Sequence, residues 1–256
     1  TDYFVTTASD CIHPTTNAEE ACGLIEIKPK LAALCINAPL TAANQFDRYD
    51  TDAGIKQIDP NPTFKGTGGT KGTATGAGSG TVTYTNDVPD GYTFVWNRGG
   101  AGSCTFATED DTDALGVVIG KKIVITITSS AAGDGWDLIH TASMHTRVAE
   151  GDHLYTETRL IMEGISGSEL TDVGHYFEWG DGVGTVTNPG AIGGATSGNI
   201  TQPFDWVMRN DRPLVVPAGI SSLKTRTRAR FASGATAVCK IGAHGITVYD
   251  ADSGKI

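Results

Sequence analysis

The most regular hydrophobic pattern in the chain lies near its C-terminal end, between residues 222 and 231. Leu, Thr, Thr, Ala and Phe occupy the odd positions 223–231, and one Lys and three Arg occupy the even positions 224–230. A period of two places these two sets on opposite faces of an extended strand. The pattern therefore predicts a strand with one buried face and one cationic face.

The sequence around this strand predicts two or three strands of one sheet over residues 206–249. Residues 213–219 contain a short apolar run that ends in Pro-Ala-Gly, which is typical of an edge strand followed by a turn. Ser-Gly at 233–234 and the glycines at 242–245 predict turns on either side of a strand at 235–241. These elements are typical of the closing part of an antiparallel β domain.

Earlier in the chain, further segments show period-two alternation or enrichment in β-branched and aromatic residues. They are residues 80–85, 92–97, 103–108, 122–128, 138–146, 154–162 and 173–179. Asp-Gly at 90–91 and at 134–135 marks two tight turns, because glycine tolerates a positive φ. Short strands at regular spacing predict an all-β fold, an antiparallel sandwich or a barrel.

Two glycine-rich stretches, at residues 66–80 and 180–198, separate these strands from their neighbours. Glycines offer little side chain for packing, so both stretches are expected to be surface loops. A phosphate-binding loop is not favoured, because residues 66–71 lack the Gly-Lys-Ser/Thr order and a following apolar helix.

Residues 1–58 form a short segment of mixed or irregular character, and the sandwich is expected to span 59–256. Residues 17–22 have helix-start chemistry, and residues 30–36 are apolar and fit a helix or a strand. The segment is too small to hold its own core. It is expected to dock either on the rest of the chain or on a partner subunit.

Composition narrows the class of protein. The chain has 256 residues, 39% of them hydrophobic, 33 glycines and a net charge of −10, which fits a globular, turn-rich β protein. The acidity argues against general nucleic-acid binding, which needs a basic surface. No apolar run approaches the roughly 20 residues that span a membrane.

The five cysteines are expected to be reduced thiols, because the first residues of the sequence do not show the pattern of a secretory leader and synthesis in a cytosol is expected. Cys11, His13, Cys22 and Cys35 lie close in sequence, but their spacing matches no usual zinc pattern. We therefore do not favour a zinc site.

Four motifs together resemble a known arrangement: Asn-Pro-Thr-Phe with a Gly-Thr-Gly-Gly-Thr run at 61–70, Val-Pro-Asp-Gly-Tyr at 88–92, Gly-Asp-His-Leu-Tyr at 151–155 and Val-Pro-Ala-Gly at 216–219. The chain resembles, over residues 59–250, the carbohydrate-binding-module-like jelly rolls of tailed-bacteriophage virion proteins and of some hydrolases.

The resemblance implies an antiparallel jelly-roll β-sandwich displayed on a virion that assembles in the cytoplasm of a bacterial host. Residues 1–50 would attach to other virion proteins of the capsid or tail, and family analogy favours a homo-oligomer, in particular a trimer. The alternatives are a free-standing carbohydrate-binding module or receptor-binding protein and, further, a glycan hydrolase. No catalytic constellation is recognisable, so we expect no enzyme.

Glycan-binding sandwiches stack exposed aromatic rings on sugars and use polar side chains for the hydroxyl groups. Trp136 and Trp179 each neighbour turn glycines and aspartates, which indicates positions at a loop rim. The candidate glycan site is completed by Asp181, Tyr176, Arg226 and Arg228. The alternative for each tryptophan is a place in the core.

The cationic face of strand 222–231 has two interpretations. Glu157 and Glu163 on neighbouring strands are expected to pair with it across the sheet, or the face binds an acidic glycan or an acidic subunit.

For a metal, calcium is the best candidate, because carboxylates in the loops of such sandwiches bind it. Asp250 and Asp252, after the last strand, are the candidate ligands, and Asp110, Asp111 and Asp113 are the alternative set.

Overall fold

A computed structural model describes residues 4–7, 10–14, 55–112, 116–141, 144–165, 169–180, 186–187, 191–196, 202–210 and 213–249, with side chains described from residue 58 on except at 186–196 and 249. The chain divides into two compact units, Thr1–Arg48 and Tyr49–Ile256. The expected helix start at 17–22, the cysteine side chains at 11, 22 and 35, and the candidates Asp113, Asp181, Asp250 and Asp252 lie outside the described residues.

In the first unit, an antiparallel pair of strands is formed by β1 (Phe4–Thr7) and β2 (Asp10–Pro14). The second unit contains two sheets. Sheet 1 has the strand order β14-β10-β17-β8-β7-β5, with β15 beside β10 and β3 beside β17. Its strands are β3 (Ile55–Gln57), β5 (Thr81–Tyr84), β7 (Ser103–Thr112), β8 (Val118–Thr128), β10 (His153–Glu163), β14 (Phe204–Arg209), β15 (Leu214–Val215) and β17 (Thr236–Tyr249).

Sheet 2 has the order β12-β11-β16-β9-β6-β4, with β13 beside β11. Its strands are β4 (Thr70–Lys71), β6 (Tyr92–Asn97), β9 (Gly135–His140), β11 (Leu170–Gly180), β12 (Val186–Thr187), β13 (Ala191–Thr196) and β16 (Ser222–Phe231). The short 3-10 helix η1 (His145–Arg147) follows β9. No α-helix of the length and hydrophobicity that a bilayer crossing needs occurs in the described part of the chain.

The order of the strands is that of a jelly roll. The connections at which the chain passes from one sheet to the other include those between β8 and β9, β9 and β10, β10 and β11, β13 and β14, β15 and β16, and β16 and β17. As a result the last strand, β17, lies between β8 and β10, and β16 lies between β9 and β11. The antiparallel β-sandwich expected from the sequence is confirmed, with parallel pairing only between β4 and β6 and between β5 and β7 among the described pairs of strands.

The strand predicted from the period-two pattern is confirmed, because burial alternates at every position of β16. One turn prediction is wrong. Residues 242–245 do not turn the chain but continue β17, where a bulge lets Thr158 lie opposite His244 and Leu160 opposite Ile241. The turn predicted at 132–135 is confirmed, but it is Gly133 that takes the positive φ, of 88°, and the glycine of the Asp-Gly pair begins β9.

Residues 66–80 lie at the surface, as predicted, but they are not a loop free of backbone pairing. This segment lies beside residues 88–102, and successive amides donate to that chain, including Gly72 N to Phe94 O at 2.8 Å and Gly78 N to Arg98 O at 3.2 Å. A Cβ on Gly78 would lie 2.1 Å from the carbonyl oxygen of Gly100. The glycines are therefore needed for close backbone approach at the sheet edge.

The sandwich begins before residue 59. Ile55–Gln57 pairs with β17, and Ile58 donates a backbone hydrogen bond to Ile246 at 2.9 Å and is buried. Two apolar clusters fill the space between the sheets. The larger is built around Trp96, Trp136 and Phe106, and the smaller around Phe177 and Leu154.

Candidate functional site

The outward side of sheet 2 carries a dense set of charged side chains. We call this surface the paired-charge face and define it by Asp137, Asp172, Tyr176, Glu178, Lys224, Arg226, Arg228 and Arg230. The pairing of β16 with β11 and β9 brings it together, because Arg226 lies opposite Tyr176 and Ile139, and Arg228 lies opposite Gly174 and Asp137.

Arg226 occupies the centre of the face. Its Nε lies 2.7 Å from Glu178 Oε1, its Nη2 donates to Glu178 Oε2 at 3.2 Å, and its Nη1 lies 3.6 Å from Asp137 Oδ1. Asp137 also accepts a hydrogen bond from Arg230 at 2.7 Å, and Lys224 lies 3.7 Å from Glu178. Each of these two carboxylates therefore serves two cations.

Arg228 extends the face towards β13. Its Nη2 lies 2.7 Å from Asp172 Oδ2, and its guanidinium lies over the Tyr176 ring, 4.6 Å from the ring centroid. The ring lies across Gly174, where a Cβ would be 2.5 Å from the tyrosine hydroxyl. Glycine at this position lets the aromatic ring lie flat on the sheet.

The face is recessed, although its side chains point away from the core. Asp137 is 4% exposed, Tyr176 6% and Glu178 7%. The side chains of Arg226 and Arg228 keep 30% and 34% of their surface exposed. The carboxylates thus lie beneath guanidinium groups that remain partly accessible to solvent.

The cross-strand pairing expected for this face is confirmed, but the expected partners are wrong. Glu163 pairs with Lys240 at 3.2 Å and Glu157 lies opposite Arg209, so both belong to sheet 1. With three carboxylates against four cations, the face carries little net charge.

The placement of Trp136 and Trp179 at a loop rim is wrong. Both point inward; Trp136 has no exposed surface and donates from Nε1 to Cys239 Sγ at 3.4 Å, and Trp179 is 9% exposed in the smaller core cluster. Tyr176, Arg226 and Arg228, by contrast, lie together on one surface. Of the four tryptophans only Trp206 is well exposed, at 38%, on edge strand β14 of sheet 1.

Two aspartates of the alternative calcium set form ion pairs with lysines. Asp110 lies 2.5 Å from Lys121 Nζ, and Asp111 lies 3.6 Å from Lys122 Nζ. Within the part of the chain that the structure describes, no group of three His, Cys, Asp or Glu side chains is placed to hold a metal ion.

Sequence reasoning missed a second polar cluster, which lies between the sheets. We call it the inter-sheet polar layer, and its members are Asp59, Tyr92, His140, Thr156, His175, Thr225, Thr227 and His244, all at most 5% exposed. On β16 the two threonines lie between Leu223 of the smaller cluster and Ala229 of the larger one. The layer therefore separates the two apolar clusters.

Asp59 is the centre of this layer. Its Oδ1 lies 2.9 Å from His140 Nε2 and accepts from the backbone N–H of Asn61 at 2.8 Å. Its Oδ2 is bonded to His244 Nδ1 and accepts from the Tyr92 hydroxyl at 3.2 Å. Burial by itself would raise the pKa of Asp59, but the two histidines outweigh it and hold that pKa far below its usual range.

His175 lies on the other side of His244, with 5.1 Å between the ring centroids. Its Nε2 is 3.0 Å from Thr156 Oγ1 and its Nδ1 is 2.9 Å from Thr227 Oγ1. Burial, and then the proximity of His244, lowers the pKa of His175 well below its usual value. The signal in the sequence was the presence of threonine and histidine at inward positions of β10, β11 and β16, where an apolar core needs none.

Comparisons with known proteins give structural likenesses only. No protein-family model and no curated protein matches the chain in sequence. Among solved structures it is similar to a xylan-binding domain from carbohydrate-binding module family 22, with 12% identity, 65% of this chain and 90% of that chain covered, and a TM-score of 0.37.

Two other likenesses have the same TM-score of 0.37. One is to the C-terminal family 22 module of Clostridium thermocellum Xyn10B, at 14% identity over 65% of this chain and 89% of that chain. The other is to the enzymatically active domain of tailspike protein 4 of bacteriophage CBA120, at 11% identity over 61% of this chain and 19% of that chain. Likenesses this distant bear on neither ligand nor activity.

Proposed function

We propose that this chain is a carbohydrate-binding β-sandwich whose paired-charge face binds a glycan. The observation that carries the proposal is the setting of Arg226, which lies between Glu178 and Asp137 on the solvent side of a sheet. Both carboxylates are more than nine-tenths buried, while the guanidinium keeps 30% of its surface exposed.

Stability alone does not account for such an arrangement. Threonine and valine on the outer face of a sheet satisfy strand propensity without removing charges from water. Ion pairs at the surface contribute between zero and about 1 kcal/mol each, and burying their carboxylates opposes that gain. The alternating donors and acceptors are instead suited to sugar hydroxyl groups, each of which both donates and accepts a hydrogen bond.

The charge balance favours a neutral glycan over an acidic one. Every cation of the face has a carboxylate within 4 Å, so an acidic sugar would compete with Asp137, Asp172 and Glu178 for the same guanidinium groups. A neutral sugar adds hydrogen bonds without breaking an ion pair.

The test is a glycan array followed by affinity electrophoresis of the full chain in gels that contain the polysaccharides found on the array. The wild type should be retarded by at least one neutral polysaccharide, and Arg226→Ala should lose most of that retardation. Arg159→Ala is the matched control, because it removes an exposed ion pair with Asp205 on sheet 1. No binding by the wild type, or equal retardation of Arg226→Ala and wild type, would overturn the proposal.

We further propose, as the sequence resemblance implies, that the glycan-binding unit is carried on a phage virion and has no catalytic role. The division of the chain into Thr1–Arg48 and Tyr49–Ile256 supports a separate attachment unit. A chain that lacks residues 1–48 should fold and bind glycans but should not enter particles. Its incorporation at the wild-type level would contradict attachment through this segment.

A further inference from the structure

The inter-sheet polar layer links both sheets through side chains alone. Asp59 contacts His140 from sheet 2 and His244 from sheet 1, and His175 from sheet 2 contacts Thr156 from sheet 1. These contacts cross the middle of the sandwich, where apolar packing is interrupted. The protonation states of the histidines therefore decide how the two sheets are held together at this level.

Hydrogen bonding defines the state of His175. The Thr156 hydroxyl donates to the carbonyl oxygen of Gly245 at 2.8 Å, so its oxygen is left to accept from His175 Nε2–H. Nδ1 of the neutral ring then accepts from the hydroxyl of Thr227. Both ring nitrogens are thus satisfied with a single proton.

A second proton on His175 would have no carboxylate to meet. The groups that face the ring are the hydroxyl of Thr156 on β10, the hydroxyl of Thr227 on β16 and the imidazole of His244 on β17. Asp59 also acts on it electrostatically, but its oxygens are already bonded to His140 and His244. An imidazolium here would be a buried cation beside another histidine.

His140 faces a carboxylate on one side only. Its Nε2 contacts Asp59, and its buried Nδ1 has no hydrogen-bond partner among the described residues. A proton on Nδ1 would be buried without an acceptor. His244 differs from His175 in that one of its nitrogens, Nδ1, faces a carboxylate, that of Asp59, while Nε2 faces the hydroxyl of Thr225.

We propose that the inter-sheet polar layer is an acid-responsive lock, in which proton uptake at Nδ1 of His175 places a buried cation with no facing carboxylate between the sheets and so opens the sandwich. The lock is closed at neutral pH, where an uncharged His175 joins Thr156 to Thr227. It opens in mild acid, before the carboxylates of the protein become protonated.

The direction of the pH dependence follows from the burial of His175. Its folded-state pKa lies well below the unfolded value of 6.5, so its stabilisation is complete above about pH 6.5 and is lost as the pH falls below that value. Asp59, whose folded-state pKa is also lowered, loses its contribution only below about pH 4. Between these limits His175 sets the expected pH dependence. A proton that the unfolded chain binds and the folded protein excludes raises the unfolding constant about tenfold for each unit by which the pH falls.

The test is urea unfolding of the full chain, followed by tryptophan fluorescence, from about pH 8 to about pH 4.5. The wild-type unfolding constant should be flat above pH 7 and should rise about tenfold per unit below about pH 6. His175→Gln should remove about one proton from that slope. His153→Gln, on the outward side of β10, should leave the slope unchanged. A flat wild-type profile between about pH 7 and 5 would overturn the proposal.

A second measurement does not depend on the variant folding. In the wild type, nitrogen-detected NMR of the imidazole rings should show His175 as the neutral Nε2–H tautomer at every pH at which the protein is folded. Titration of His175 near pH 6.5 in the folded protein would show that the ring accommodates the charge, and the lock would be refuted.

Discussion

Replacing Asp59 by Asn tests the centre of the inter-sheet polar layer with a change of almost no volume. The carboxylate is fully buried and four donors converge on it, from His140, His244, Tyr92 and the backbone of Asn61. Asparagine removes the charge and replaces one acceptor oxygen by an amide group. Each carboxylate oxygen has two of these donors. Whichever oxygen is replaced, its two donors then face the N–H group of the new amide.

The expected loss can be worked from these contacts. A buried hydrogen bond to a charged group contributes about 1.5–3 kcal/mol, and a buried donor left without an acceptor costs about 1–3 kcal/mol. Because Asp59→Asn weakens the first kind of contact and creates the second, it should lower the free energy of unfolding by about 2–5 kcal/mol at pH 7.5. That is a large part of the roughly 5–15 kcal/mol of a typical domain.

The assay is urea unfolding by tryptophan fluorescence, with Asp205→Asn as control. Asp205 makes a bidentate pair with Arg159 at 2.6 and 2.9 Å, but its side chain is 49% exposed. Its replacement should lower the free energy of unfolding by less than about 1 kcal/mol. If the two variants lose the same amount, or Asp59→Asn loses less than about 1 kcal/mol, the polar layer does not hold the sheets together as we describe.

Three further predictions concern packing. Gly78→Ala should lower the free energy of unfolding by about 1–3 kcal/mol because its Cβ would overlap a backbone carbonyl. The control Ser79→Ala, at an exposed position, should change it by less than about 0.5 kcal/mol, and urea denaturation of both variants measures the difference. Cys104 and Cys239 should resist a thiol reagent in the native protein at pH 8, since burial raises the pKa of both thiols, that of Cys239 to about 12. Mass spectrometry locates any modification, and rapid labelling of either thiol would contradict the buried positions. Trp206→Phe should remove most of the acrylamide-quenchable fluorescence, because the other three tryptophans are buried; unchanged quenching would place the exposed indole elsewhere.

The candidate face shows how far sequence reasoning reached. The spacing of Arg226 and Arg228 was enough to place them on one outward surface, because side-chain direction in a strand depends only on the parity of the position. Their partners were not predictable in the same way. Glu178 and Asp137 became neighbours through the register of β16 with β11 and β9, and register depends on the whole sheet.

The tryptophans and the glycine-rich segment show a related limit. Trp136 follows a turn and is flanked by aspartate, yet its indole points inward because Gly135–His140 pairs on both sides and alternates across the sheet. The glycines of residues 66–80 resemble those of a loop. Their role in close backbone contact becomes visible only when residues 88–102 lie beside them.

The amino-acid sequence by itself determined the β class, most strand positions and the cationic face, because periodicity and turn chemistry act over a few residues. The tertiary structure alone decided which carboxylates neutralise that face. It also placed Asp59 and His244, 185 positions apart, in direct contact. Such contacts depend on how the sheets pack, and a buried carboxylate is stabilised only when folding brings its partners to it.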